Sequence, residues 1–504
     1  MLLDAEICTR ALGARDARFD GLFFVGITST GVYCRPVCPA RVSYPDRRRF
    51  FESPAAAESA GFRPCLRCRP ELAPGRALVD AVPRLAHVAA LRIAAGALNE
   101  RSVRQFAREL GVSERHLRRA LEREVGVSPL ELAQTHRLLL AKRLLVDTPL
   151  SVTRVAYASG FQSLRRFNSV FRERYRMSPS ALRRGHSTEA LASPPSPRAD
   201  DATSPLRLTL AYRAPLAWNA LLGVLRRSAM PGVDVVDGQG YARTVRLGER
   251  TGVVFVHDDV RRPRRQGPPS LTVDVSPSLV PALMPLLARL RHLFDLDAEP
   301  TVIDEHLAQG GLGSLVSRLP GLRIPGAFDG FEVALALLVR SALEPEAALD
   351  VLRRLVTTLG EPLEAGKAAL THITPTPGSI ADAGASALST LGVPAGIAGA
   401  IVRLARMVTS GELRLEPGCD VDATHRTLLS VDGMTGSVAT AIVGRALQWP
   451  DAFPASDWRL RHAVGVSSMR ELVTRAERWR PWRAYAAIHL LITENRRARA
   501  GSLE

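Results

Sequence analysis

Six cysteines occur among 504 residues, and four of them fall into two tight pairs, Cys34-x3-Cys38 and, 26 residues further on, Cys65-x2-Cys68. Each pair is short enough to present two sulfurs to one metal, and four thiolates at about 2.3 Å in a tetrahedron form a structural Zn2+ site. The expected ligands are therefore Cys34, Cys38, Cys65 and Cys68, in a small zinc domain over 1–75. Such a centre carries a net charge of about −2, and zinc keeps its thiolates deprotonated and nucleophilic at neutral pH. A sulfur of this kind can accept a methyl group. Cys8 and Cys419 stand alone and read as core or surface thiols.

The first residues, MLLDAEICTR, carry acids where a signal peptide needs a basic region, and no apolar run approaches the roughly 18 residues of a membrane span. A cytoplasmic protein without membrane contact is expected. In that reducing compartment, paired cysteines point to metal ligands before disulfides. At roughly one domain per 150 residues, the chain has room for three or more domains. The net charge is +17, and 32 basic against 18 acidic residues within 1–190 put +14 of it in the front part. A polyanion such as double-stranded DNA suits that field; a solvated basic surface is the alternative. Only Lys142 and Lys367 are lysines.

From 81 to 186 the pattern is helical. In RSVRQFARELGVSERHLRRALEREVGVSP, residues 101–129, a short helix meets a turn at Gly111, and Ser113 caps a second helix with Leu117, Leu121 and Val125 on its apolar side. The opposite face holds Arg115, His116, Arg118 and Arg119. A second copy, SVTRVAYASGFQSLRRFNSVFRERYRMSP at 151–179, turns at Gly160 and offers Gln162, Ser163, Arg165, Arg166 and Asn168 to base edges. A long helix over about 131–146 joins the two. The segment 187–205, mixing Ser, Pro, Ala and charge, reads as a linker. Beyond it LRLTLAYRAPL and SLTVDVSP alternate as strands do, LAWNALLGVLRRSA and PALMPLLARLRHLF are amphipathic helices, and from 301 the chain is almost wholly helical.

These stretches carry three resemblances. TSTGVYCRPVCPAR and AGFRPCLRCRPE resemble the N-terminal domain of the Ada methylation-response regulator. That resemblance implies that Cys34 takes a methyl group from a DNA methylphosphotriester while Cys38, Cys65 and Cys68 support the metal. Loss of one negative charge then favours the phosphate backbone. AYASGFQSLRRFNSVFRERYRMSP resembles the AraC-type DNA-binding domain. LLSVDGMTGSVATAIVGRALQWPDAFPASDWRLRHA, with PGLRIPGAFDGFE and AERWRPWRAYAAIHLLITE on its flanks, resembles the helix-hairpin-helix glycosylases and AlkA in particular.

The last resemblance implies that a hairpin with Gly433 and Thr435 holds a phosphate while a base is flipped out, and that Asp457 is the catalytic carboxylate. A carboxylate beside the anomeric carbon stabilises the cationic sugar; Asp457 as a plain cap of the helix from Trp458 is the alternative. The Schiff-base lysine position of bifunctional relatives is Ser437, so lyase chemistry is not expected. Against the family's Leu-Pro-Gly-Ile-Gly, the hairpin reads Val431, Asp432, Gly433, Met434, Thr435, which predicts weaker anion binding. Ser437, Ala441 and Leu491 occupy the aromatic cleft positions, and Leu343 reads as either an intercalating wedge or core.

The expected fold is multidomain α+β: a small α/β zinc domain (1–75), an all-α double helix-turn-helix (81–186), a linker (187–205), a small α+β domain (206–300) and a mostly α helix-hairpin-helix glycosylase domain (301–504). The expected function is an alkylation-damage response, with Cys34 as stoichiometric methyl acceptor and transcription switch. Its partners would be alkylated DNA, an operator and RNA polymerase. The C-terminal module would be a monofunctional DNA-3-methyladenine glycosylase of N-glycosyl hydrolase type. The alternative is a regulator and methyl sensor whose glycosylase-like module is inactive.

Overall fold

The computed structural model describes residues 4–40, 43–74, 85–190, 204–258, 269–364 and 369–501, with the backbone alone at 186–190 and 495–501. Lys367 and residues 191–203 of the expected linker lie outside the described residues.

The front domain begins with helix α1 (Ala5–Ala14), capped by Asp4. Strands β1 (Phe24–Ile27), β2 (Val32–Cys34), β3 (Arg48–Phe51) and β4 (Arg63–Pro64) form a sheet in the order β3-β1-β2-β4. The β1–β2 hairpin turns through Gly31, whose φ of +64° is open to glycine at little cost. Helix α2 (Pro54–Ser59), capped by Ser53, packs against this sheet. The parallel pairing of β2 with β4 sets Val32 opposite Arg63 and Tyr33 opposite Pro64, so Cys34 and Cys65 leave adjacent strands side by side.

Among the described residues, the next helices are α3 (Leu85–Ala94), α4 (Val103–Glu109), α5 (Glu114–Glu124), α6 (Pro129–Asp147), α7 (Val152–Ala158), α8 (Leu164–Tyr175) and α9 (Pro179–Ala190). Their boundaries reflect local chemistry. Ser102 with Gln105 and Ser128 with Glu131 form reciprocal capping boxes, and Ser113 and Ser163 cap α5 and α8. Helix α9 runs to Ala190 and so takes the first four residues expected for the linker, because the helical ladder begun at Pro179 meets no breaker there.

The third unit is a five-stranded antiparallel sheet in the order β5-β9-β8-β7-β6, made of β5 (Leu206–Ala211), β6 (Asp234–Val236), β7 (Tyr241–Leu247), β8 (Arg250–His257) and β9 (Ser270–Val275). Helices α10 (Trp218–Ser228) and α11 (Leu283–Leu293) accompany it. Its buried face is continuous with the core of the second helix-turn-helix. Leu144, Val155, Phe167 and Phe171 belong to the same apolar cluster as Leu208, Val254, Val273 and Leu290.

Apart from a short antiparallel pair, β10 (Glu361–Pro362) with β11 (His372–Ile373), the remainder is helical: α12 (Pro300–Leu307), α13 (Gly313–Val316), α14 (Gly330–Ala342), α15 (Pro345–Leu359), α16 (Pro377–Thr390), α17 (Ala395–Ser410), α18 (Val421–Leu429), α19 (Gly436–Ala446), α20 (Trp458–Val464), α21 (Met469–Ala476) and α22 (Arg483–Gly501). One core gathers α14 to α19, and a second joins α12 and α13 to α20, α21 and α22. The two conspicuous flanks are architectural. Glu332 accepts from Arg243 of β7 at 2.7 Å, Arg323 is fully buried against the Arg213 carbonyl, and the Trp479 indole donates to the Gly310 carbonyl at 3.0 Å.

Polar ties fasten the zinc domain and the first helix-turn-helix to the rest of the chain. Lys142 of α6, 1% exposed, pairs with Glu71 at 2.6 Å and donates to the Cys65 carbonyl at 3.2 Å. Arg69 grips Asp147 with two bonds of 2.6 and 2.8 Å. Glu58 accepts from Tyr33 at 3.0 Å and Thr135 at 3.2 Å, with Arg174 of α8 beside it. Arg92 of α3 pairs with Glu416, and Arg414 donates to the Glu109 carbonyl at 2.9 Å.

Candidate functional sites

Cys34 closes β2, Cys38 comes one turn later through a Cys38 amide to Arg35 carbonyl bond, and the Cys65 amide donates to the Tyr33 carbonyl at 2.9 Å. The four sulfurs lie within 4.8 Å of one another. Cys34, Cys38 and Cys68 are buried, and Cys65 is partly exposed. Four thiols this close share protons unevenly. Hydrogen bonding to Cys38, then to Cys65 and Cys68, drives the Cys34 thiol far up, while the bond to Cys34 pulls the Cys65 thiol far down. A divalent cation with a taste for thiolates removes that conflict, and the donor set fits Zn2+.

Arg35, only 3% exposed, supports this centre. Its guanidinium is held by both oxygens of Asp20 and donates to the Cys68 carbonyl at 3.2 Å, while its amide donates to the Cys68 sulfur at 3.4 Å. Donors aimed at a thiolate stabilise its negative charge and orient the ligand.

On α5, Arg115, His116, Arg118 and Arg119 are exposed, opposite the fully buried Leu117 and Leu121. Val125 lies just past the helix end as its C-cap and is half-buried; Val127 completes the core instead. On the second unit Gln162, Ser163, Arg165 and Arg166 are exposed and Asn168 is half-buried. Ser163 caps α8 and Gln162 donates to the Asn99 carbonyl at 3.1 Å, so both already hold the turn itself. Asn99 packs over Gly160 and accepts from Arg137 at 2.9 Å, a joint between the two units that no sequence signal marked.

In the hairpin, Gly433 has φ +86°, and a Cβ there would meet the Gly396 carbonyl oxygen at 2.6 Å. Among the described residues the Gly433 and Thr435 amides donate to no other group. Thr435 caps α19, so free amides and a helix start face solvent together, which is the arrangement that holds a phosphate. Asp432 is exposed in the same turn. Leu343 is not on a helix; it succeeds the last residue of α14 in extended backbone and packs half-buried on the core. Ser437 is exposed, and Ala441 and Leu491 are half-buried, so no aromatic side chain stands at these cleft positions.

Asp457 caps α20, accepting the Arg459 amide at 2.9 Å. It also pairs with the Arg459 guanidinium, at 3.0 Å from Nε to Oδ1 and 2.6 Å from Nη2 to Oδ2. Its side chain keeps 17% of its exposure. The nearby Asp451 is a poor rival. It is 6% exposed and gripped by Arg483 at 2.7 and 2.8 Å and by Arg480 at 2.5 Å, and Arg483 is itself buried, so the pair is closed off from a substrate. Trp458, beside Asp457, is 63% exposed. The Arg459 pairing was missed in the sequence, although Asp-x-Arg at a helix start is its signal.

Known proteins match the same order of parts. A model of the metal binding domain of Ada matches residues 7–71, a helix-turn-helix domain model 106–185, and the AlkA N-terminal domain model 207–329. A Mycobacterium tuberculosis protein named as a probable bifunctional transcriptional activator/DNA repair enzyme AlkA is 37% identical over 97% of this chain and 96% of its own length. The chain belongs to that family. The back of this AlkA-type fusion is 31% identical to DNA-3-methyladenine glycosylase 2 of Escherichia coli, over 57% of the chain and 97% of the relative. Its front is 44% identical to the regulatory protein ada of Salmonella typhimurium, over 14% of the chain and 20% of that protein. The zinc site and the hairpin belong to different apolar cores of one polypeptide. No helix among the described residues is long and apolar enough to cross a membrane.

Proposed function

We propose that the chain is a cytoplasmic alkylation-response protein that senses methylated DNA phosphates, regulates transcription and excises alkylated purines. At the front, the Cys34 sulfur attacks the methyl carbon of a phosphate methyl ester. The carbon–oxygen bond breaks, its electrons stay on the phosphate, and a thioether and a phosphodiester anion result. Bound zinc supplies the deprotonation that makes the sulfurs nucleophilic. Arg35 steadies the centre from behind through Cys68. Cys34 is the acceptor on this reading because it is the first cysteine of the Cys-Arg-Pro-x-Cys element that the chain shares with the Ada family; the greater exposure of Cys65 favours Cys65 as the second candidate. The exposed arginines of α5 and α8 read an operator, and RNA polymerase is the partner such an activator requires.

At the back, the glycosidic bond of a flipped 3-methyladenine breaks with its electron pair on the base. Asp457 stabilises the cationic sugar, and water adds to the anomeric carbon and loses its proton. No lysine stands at Ser437, so hydrolysis ends the reaction. The observation that carries this reading is Asp457 at the start of α20, 17% exposed and held by a half-exposed arginine, set against Asp451, which is buried with a buried arginine. The absence of aromatic side chains at Ser437, Ala441 and Leu491 favours the second reading, a module that docks on DNA without excising. Release of bases from dimethyl-sulfate-treated duplex by wild type and by Asp457→Asn decides between them.

A further inference from the structure

One guanidinium covers both oxygens of Asp457. A carboxylate neutralised in this way cannot stabilise a cationic sugar well, and the same arginine repels a base that is itself cationic. The hold is nevertheless weak. Arg459 is 45% exposed, and ion pairs at that level contribute little, being screened by solvent. The front domain shows the motif in a second setting, where Asp16 caps a short helical turn and pairs with Arg18 by the same two bonds. An aspartate cap with an arginine two residues later therefore folds this way from local sequence alone.

Other charges around Arg459 give it no second home. On α20, His462 pairs with Glu494, and among the described residues Arg459 has no acidic partner besides Asp457. Meanwhile the hairpin that should clamp a phosphate has an acid, Asp432, in its turn. A duplex brought to this surface offers an anion that competes directly for the guanidinium.

Accordingly, we infer that Arg459 is a positioning residue that leaves Asp457 for a backbone phosphate of the bound duplex, unmasking the carboxylate only when DNA is docked. The inference rests on Asp457 as the group facing the sugar. Lesion entry and carboxylate activation are thereby linked through one side chain, and a second phosphate contact is added to the one that the hairpin amides offer.

Single-turnover base release from dimethyl-sulfate-treated duplex, measured against full-chain protein concentration at several salt concentrations, tests this. Arg459→Gln should raise the half-saturating concentration about fivefold while raising the plateau rate, a split that a structural defect does not produce. The slope of log half-saturation against log salt should fall by about 0.9, the signature of one lost phosphate contact, and Arg459→Lys should restore it. An unchanged slope with a lowered plateau would mean that Arg459 only braces the helix start, and the inference fails alone. Loss of activity in Asp457→Asn with no change of any kind in Arg459→Gln also defeats it alone. A plateau in Asp457→Asn equal to wild type, or no release by wild type, removes the Asp457 reading and the inference together.

Discussion

The four-cysteine centre and the Asp457 site differ in how much of the protein each needs. In the front domain, two short chelating pairs and one parallel strand pairing bring four sulfurs within 4.8 Å, and Arg35, buried behind them, belongs to the same short motif. At the back, Asp457 stands on its own helix start, the hairpin lies between α18 and α19, and the cleft positions come from α19 and α22. The first site is buried at three of its four sulfurs; the second is more exposed and shielded by one half-exposed arginine. A site built from adjacent residues is over-determined by its ligands, whereas one built from distant helices depends on the packing that brings them together.

The largest expected effect removes the front site outright. Cys65→Ala should abolish zinc retention and unfold the front sheet, since a structural zinc contributes on the order of 10–16 kcal/mol. Metal analysis and limited proteolysis check it; base release should persist, because the two cores around the hairpin and Asp457 share no residue with the zinc ligands. If excision is lost as well, the two sites are not independent and the contrast collapses.

Next comes Asp457→Asn. Base release should fall by about 10²–10³-fold, equivalent to roughly 3–4 kcal/mol of transition-state stabilisation. Thermal unfolding should change by well under ~1 kcal/mol, because an asparagine still caps α20. A large loss of stability would mean that the site is less open than its exposure implies.

The third prediction concerns the joint between the zinc domain and the helix-turn-helix. Burial pushes the Glu58 carboxyl up to about 7, against the attraction of Arg174 and the hydrogen bonds from Tyr33 and Thr135. A carboxyl raised in the folded state binds its proton there while the unfolded chain has lost it. Stability is therefore greatest below the ordinary glutamate pKa and falls as pH rises from about 4.5 to 7, by at most about 3 kcal/mol. Denaturant midpoints across that range should show the decline in wild type and lose it in Glu58→Gln.

The smallest effect is the most diagnostic of the chemistry. Methylated DNA should place one methyl group on Cys34, located by mass spectrometry, and operator affinity should tighten by about 1 kcal/mol through loss of one charge near the phosphates. A methyl group on Cys65 would transfer the acceptor role to the more exposed sulfur.

Particular residues explain how much of this was legible. The caps Ser113 and Ser163, the turns at Gly111 and Gly160 and the buried Leu117 and Leu121 were all readable, since capping and helical periodicity are local. Strands β5 and β9 showed in their alternation, whereas β6, β7 and β8 were not picked out from the sequence. In β7 five consecutive residues are buried, so the two-residue rhythm that marks a half-exposed strand is absent there. The partners of Asn99, Arg137 and Gln162, were invisible for a different reason: they lie far along the chain, and only packing brings them to Asn99.

By itself, then, the sequence determined the zinc ligands, the doubled helix-turn-helix and the order of the domains, because each rests on spacing over fewer than about 40 residues or on helical periodicity. Only the tertiary structure decided that Lys142 is tied to the Cys65 loop, that one apolar core runs from the second helix-turn-helix into the five-stranded sheet, and that Arg137 and Gln162 meet at Asn99. Those contacts join residues whose separation along the chain carries no periodic or compositional trace. They exist only once the packing has fixed both partners in place.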